Sequence, residues 1–259
     1  MFGKRTLRVG AIAAAVALPM AVAATTPAFA ADGKATVSAL HGIPASVLGS
    51  LGVAGGIVDV CANGSIELIS DFAPGQLKTL EVDPGTYTLS VHPGAAGCAG
   101  PVLLSKEVTV AANRNYTVTA NLALTGNNAA PVAPALNAFV NNKAPVTKYV
   151  SKSTKNVGRV TVRHIAAAPG VDVFVNGRVA ITNLENPNQA QTRLPKLTYQ
   201  VAAGLTGAGT AGIALGPVPL TVKAGYNTIV YAWGVPQSVG GEGVQVAVQE
   251  VKLTAPKRR

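Results

Sequence analysis

Three residue types recur in this sequence at spacings that could carry proton transfer or bind a metal. His41 precedes Asp59 and Asn63, and His164 precedes Asp172 and Asn176. The aspartates and asparagines sit inside a repeated phrase, VDVCANG over 58–64 and VDVFVNG over 171–177. An imidazole beside a carboxylate is a general acid–base pair or half of a metal site. Alternation points to another use. Val37, Ala39 and His41 fall on one face of a strand, as do Val160, Val162 and His164. Each histidine then closes a core-facing stripe, where a hydrogen bond to a carboxylate or carbonyl satisfies it. Asn-Gly after V-D-V is a hairpin signal, because both residues tolerate positive φ. All six polar positions therefore read as structural.

Other chemistry is thinly represented. The sequence has no G-x-S-x-G, H-E-x-x-H or P-loop pattern, and no Asp-rich calcium loop. Its 11 Asp+Glu offer no evident glycosidase pair, and serines near histidines cannot be ranked without a fold. Tyr231 and Trp233 lie in one long apolar run. They read as core, and would become a sugar-stacking platform only if exposed together. The expectation is a non-enzymatic chain with no catalytic residue, no cofactor and no metal.

Cys61 and Cys98 are the only cysteines. An even pair in an exported chain suggests a disulfide, and two isolated cysteines lack zinc-site spacing. The closed loop of about 37 residues is worth roughly 3–4 kcal/mol in the chain-entropy model. The charge is uneven. No acidic residue occurs between Glu107 and Asp172, an interval holding Arg114, Lys143, Lys148, Lys152, Lys155, Arg159 and Arg163. This reads as a solvated basic stretch. The alternative is a contact surface for an anionic partner, with Lys143, Lys148, Lys152 and Lys155 as its reach. Nucleic acid fits poorly, because basic and aromatic residues do not interleave.

The elements that position these residues are strands. Val and Thr are abundant, Gly and Pro punctuate, and no long segment past the N-terminus keeps a helical period. Runs of four to nine residues recur about every ten, the rhythm of an antiparallel sandwich. The runs also occur twice, residues 36–141 against residues 159–253. The fold class is all-β: two tandem antiparallel, Ig-like β-sandwiches, with a single closed barrel as the runner-up. The expected divisions are 1–30 signal peptide, 31–141 first sandwich, 142–157 basic linker, 158–255 second sandwich and 256–259 basic tail.

The copies disagree in one place. His41 stands 17 residues before Val58, whereas His164 stands 7 before Val171. The first copy thus carries about ten extra residues, Ala45 to Gly56, apolar and uncharged. They either pack on their own sandwich, with one helical turn over Pro44–Leu51, or form an exposed patch.

The first 30 residues read as an export signal. Lys4, Arg5 and Arg8 precede an apolar run from Val9 to Ala24, and Ala28-Phe29-Ala30 fits a cleavage site. Cleavage would leave 18 of the 21 Lys+Arg against all 11 Asp+Glu. No later stretch is long and apolar enough to span a membrane.

A strand ending in His, a Pro-containing loop, V-D-V-x-x-N-G, and later Pro84-Gly85-Thr86-Tyr87-Thr88-Leu89 together resemble a bacterial secreted family, domain of unknown function 4397. Thr161-Val162-Arg163-His164 and Asn227–Gly234 in the second copy are the nearest pieces, and the likeness is to two-repeat actinobacterial members. The resemblance implies an extracellular β-sandwich and brings no catalytic residues. The expected function is a secreted binding or structural module at the cell envelope. A binder of glycan or anionic wall polymer is one alternative, and a hydrolase is the other. The expected partner is an anionic wall polymer or another envelope protein.

Overall fold

The computed structural model describes residues 33–124, 132–146, 156–239 and 241–255. The expected signal peptide and basic tail lie outside the described residues, as do Lys148, Lys152 and Lys155. Among the described residues eight strands form the first unit: β1 Ala35–His41, β2 Val58–Ala62, β3 Ile66–Phe72, β4 Leu77–Val82, β5 Gly85–Pro93, β6 Leu104–Val110, β7 Asn115–Leu124 and β8 Val132–Val140. Eight more form the second: β9 Val157–His164, β10 Val171–Val175, β11 Arg178–Leu184, β12 Gln189–Pro195, β13 Thr198–Leu205, β14 Ile213–Thr221, β15 Tyr226–Val235 and β16 Gly243–Lys252.

Each unit is a sandwich of two four-stranded sheets. The first pairs β4-β1-β7-β8 with β3-β2-β5-β6, and the second pairs β12-β9-β15-β16 with β11-β10-β13-β14. Most pairs are antiparallel, but β1 runs parallel to β7 and β9 parallel to β15. The first core holds Val58, Phe72, Val91, Val110, Val118 and Leu122. The second holds Val160, Val173, Tyr199, Leu220, Val222 and Val230. The period of two places these residues inward from both sheets.

A third apolar cluster joins the units. Leu40 and Leu77 of the first pack with Ile229, Tyr231, Trp233 and Val251 of the second. The outer faces of β4-β1-β7-β8 and β12-β9-β15-β16 therefore meet along their central strands, while the edge strands β4 and β12 stay largely exposed. Seven of the eight residues of β9 are buried. This overturns the solvated reading of the basic stretch at two positions: Arg159 is 5% exposed and Arg163 fully buried.

The insert folds as a short helix, α1 Ala45–Ser50, capped by Pro44. Leu48 and Val53 are buried in the first core, while Leu51 stays exposed. The backbone N–H of Ser46 donates to Glu242 Oε1 at 2.8 Å, tying the insert to the second unit.

Candidate functional site: the seam between the sandwiches

The repeated residues do the same structural work in both copies. His41 Nε2 meets the Gly56 carbonyl at 2.9 Å, and His164 Nε2 meets the Pro169 carbonyl at 2.9 Å. A carbonyl only accepts, so Nε2–H donates in both rings. Gly56 lies two residues before Val58, and Pro169 two before Val171. The clamp thus holds the same point of the chain, and the whole insert is looped out inside it. Burial pushes both imidazoles below their ordinary pKa of 6.5.

The aspartates are equally matched. Asp59 accepts from the N–H groups of Asp71 and Gly97, each at 3.0 Å. Asp172 accepts from those of Asn183 and Gly207, each at 3.0 Å. Two backbone donors hold the Asp172 carboxyl below the usual range. Asp71 and Asn183, at φ 49° and 47°, mark the bulges that these carboxylates staple. Asn63 and Asn176 take positive φ in their turns, and each also accepts from the next strand, at Thr88 N–H and Gln200 N–H. The structure brings no His–Asp pair of this set into hydrogen-bond contact, and among the described residues no group of three His, Cys, Asp or Glu could hold a metal ion.

Cys61 and Cys98 are disulfide-bonded. Beside them lies a pair that the sequence could not rank: His92 Nε2 is 2.9 Å from Ser90 Oγ, and its Nδ1 is 2.9 Å from the Gly100 carbonyl. Nδ1–H donates to that carbonyl, so in the neutral ring Nε2 accepts from the serine, the arrangement of a nucleophile with its base. Ser90 is 5% and His92 2% exposed, held under the loop that Cys98 anchors. The register sets Cys61 opposite Ser90 and Asp59 opposite His92, where the second copy has Phe174 opposite Ala202 and Asp172 opposite Gly204. At these register positions the first copy thus has a disulfide and a polar pair where the second has a phenylalanine, an alanine and a glycine.

A buried polar network lies on the seam. Arg163 donates through Nε to Gln189 (2.9 Å), Nη1 to Tyr231 Oη (2.8 Å) and Nη2 to Asn141 Oδ1 (2.7 Å). All three partners are uncharged. Its guanidinium lies 4.3 Å from the Phe139 ring centroid and 5.3 Å from that of Tyr231, so ring faces supply the attraction a carboxylate would otherwise give. The chain continues across the units. Tyr231 Oη donates to Gln249 Oε1 (2.6 Å), and Gln249 Nε2 donates to Ser38 Oγ (2.8 Å). Thr117 Oγ1 also donates to Gln249 Oε1 at 2.9 Å. Burial raises the Tyr231 hydroxyl and lowers Arg163, each opposed by the other. Trp233 is 5% exposed and covers Gly75, where an added Cβ would lie 2.9 Å from the indole. Tyr231 and Trp233 thus form no exposed platform.

At one end of the seam a cleft of about 590 Å³ opens between the units. Asn113, Arg114, Asn142 and Lys143 line one wall, and Gln189 and Gln191 the other. Lys143 is the one described member of the four lysines assigned to an anionic partner. Sequence reasoning missed Gln189, Gln191, Asn141 and Gln249, because an amide on an alternating strand, or just past its end as at Asn141, looks like a solvent-facing residue. The one available signal was the acid-free interval, which supplies most of this wall.

No family model matches the chain, and no curated protein matches it. Among solved structures, a DUF3823 family protein from Bacteroides ovatus ATCC 8483 aligns with 73% of this chain and 100% of its own, at 12% identity and a TM-score of 0.20.

Proposed function

We propose that this chain acts outside the cell as a non-enzymatic binding or structural module, two sandwiches presented as one joined body at the cell envelope. The observation that supports this best is where the polar groups go. His41, His164, Asp59 and Asp172 each bond a backbone group that shapes a loop, and Arg163 bridges the units. The apolar N-terminal run supports export, a disulfide fits an oxidising compartment, and the V-D-V-x-x-N-G pattern supports kinship with the family of domain of unknown function 4397. A hydrolase would draw on Ser90 and His92, and their burial weighs against that reading. Retention of the full chain on purified cell wall, at low and high salt, tests the module reading. It predicts retention that weakens with salt, while a chain that stays in the supernatant at both would refute envelope binding. Turnover of an ester or glycoside abolished by Ser90→Ala, with melting unchanged, would refute the non-enzymatic half.

A further inference from the structure

We infer that the cleft at the seam binds an oxyanion carried on a hydroxyl-rich chain, such as a sugar carboxylate or a polyol phosphate. This rests on the reading of the chain as a binding module and names the place and the chemistry.

The chemistry of the walls carries the inference. Arg114 and Lys143 both line the cleft, no carboxylate among the described residues does, and neither cation takes part in an ion pair among the described residues. Two further cations stand beside it. The Arg159 guanidinium donates to the carbonyls of Asn142 and Ala144 on the same wall, at 3.2 and 3.1 Å. Arg193 lies opposite Arg159 in the β9–β12 register, two residues along the strand from Gln191. These like charges repel, which helps to lower the Arg159 pKa after burial. Two cations lining a concave place, two more behind its walls, and no described acid among the lining residues together focus a positive potential into it. The sequence explains this directly, because Arg114 and Lys143 both come from the interval that has no Asp or Glu.

The amides add the second requirement. Asn142 and Gln191 face each other across the seam, Nδ2 to Oε1 at 3.4 Å. Asn142 Oδ1 also accepts from the Ala144 N–H at 3.0 Å; the second amide hydrogen of Asn142, the Gln191 Nε2 group and the remaining oxygen lone pairs are the donors and acceptors left to meet a hydroxyl group. Arg114 supplies the forked geometry that matches a carboxylate or phosphate. Among the described residues no aromatic side chain lines the cleft, so these walls offer a ligand charge and amides rather than a stacking face. The walls come from different units, so the cleft exists only when the sandwiches are joined.

The experiment is titration calorimetry of the full chain with three probes: oligogalacturonate, oligo(glycerol phosphate) and neutral maltohexaose. The parent binds one or both anionic probes and not the neutral one, and the anionic probe that binds identifies the source. Arg114→Gln with Lys143→Gln lowers affinity at least about tenfold, the loss of one charge-assisted contact or more. The off-cleft variant Lys106→Gln leaves it unchanged. Both altered residues are outside the cores, and an unchanged melting curve verifies the fold. Binding of maltohexaose as tight as that of the anions, no binding of either anion, or full affinity in the double variant overturns the inference. The wall assay separates the two proposals. If parent and double variant are retained equally, the cleft fails and the module reading survives. If neither is retained but the oligomer result holds, the cleft stands and envelope binding falls.

Discussion

His41 and His164 show how one residue type can be used twice without being a site. Both are buried and neutral-leaning, so protonation is resisted in the folded chain and free in the unfolded one. The folded pKa lies below 6.5, so their stabilising effect is complete above that value and is lost as pH falls from 6.5 toward the folded pKa. Urea midpoints measured between pH 7.5 and 5 should decline, by at most about 1.4 kcal/mol per pH unit for each imidazole. Replacing both by Gln should flatten that decline. Arg163 permits a sharper comparison. Arg163→Met leaves uncharged acceptors on Asn141 and Gln189 without donors, a cost of about 2–3 kcal/mol. Arg163→Lys keeps a buried charge but loses the fork and the ring stacking, and should cost more, about 3–5 kcal/mol. Chemical denaturation ranks the two, and a lysine variant as stable as the parent would contradict the network described above.

At the scale of elements, the turn chemistry was the most readable part. Asn63-Gly64 and Asn176-Gly177 sit at positive φ and join β2 to β3 and β10 to β11, as their residue types demand. Asn63→Ala or Asn176→Ala should each cost about 1–2 kcal/mol, from the left-handed backbone alone, readable as a lower melting temperature. Replacing Cys61 and Cys98 by Ala should cost about 3–4 kcal/mol for a sequence separation of 37, and reductant should have no further effect on that variant. The faces of strands were less readable. Alternation told which residues of β7, β9 and β15 point into a sandwich, but it could not tell water from a second protein surface on the other side. Thr117, Thr161, Arg163 and Gln249 look solvent-facing in sequence and are buried. A polar interface and a wet surface use the same residue types, and only the three-dimensional meeting of the sheets separates them.

At the scale of the molecule, the joined faces predict shared unfolding. The seam combines the Leu40–Trp233 cluster with a hydrogen-bonded chain from Asn141 to Ser38. Calorimetry of the parent should show one transition. Tyr231→Ala removes a fully buried ring from the cluster that joins the units and should resolve two. Two transitions already present in the parent would mean that the seam couples the units weakly.

The histidine clamp has a practical corollary. Because His41 holds the carbonyl two residues ahead of β2, the chain between Pro44 and Gly56 hangs from two fixed points, and the second copy spans the matching points with a short loop. Its outermost part is exposed, and a Cβ added at Gly49 or Gly52 would meet nothing within 4 Å. That makes the tip of the loop a natural grafting port: a foreign peptide spliced there would be displayed from a closed ring clasped by the imidazole and seated by Leu48 and Val53.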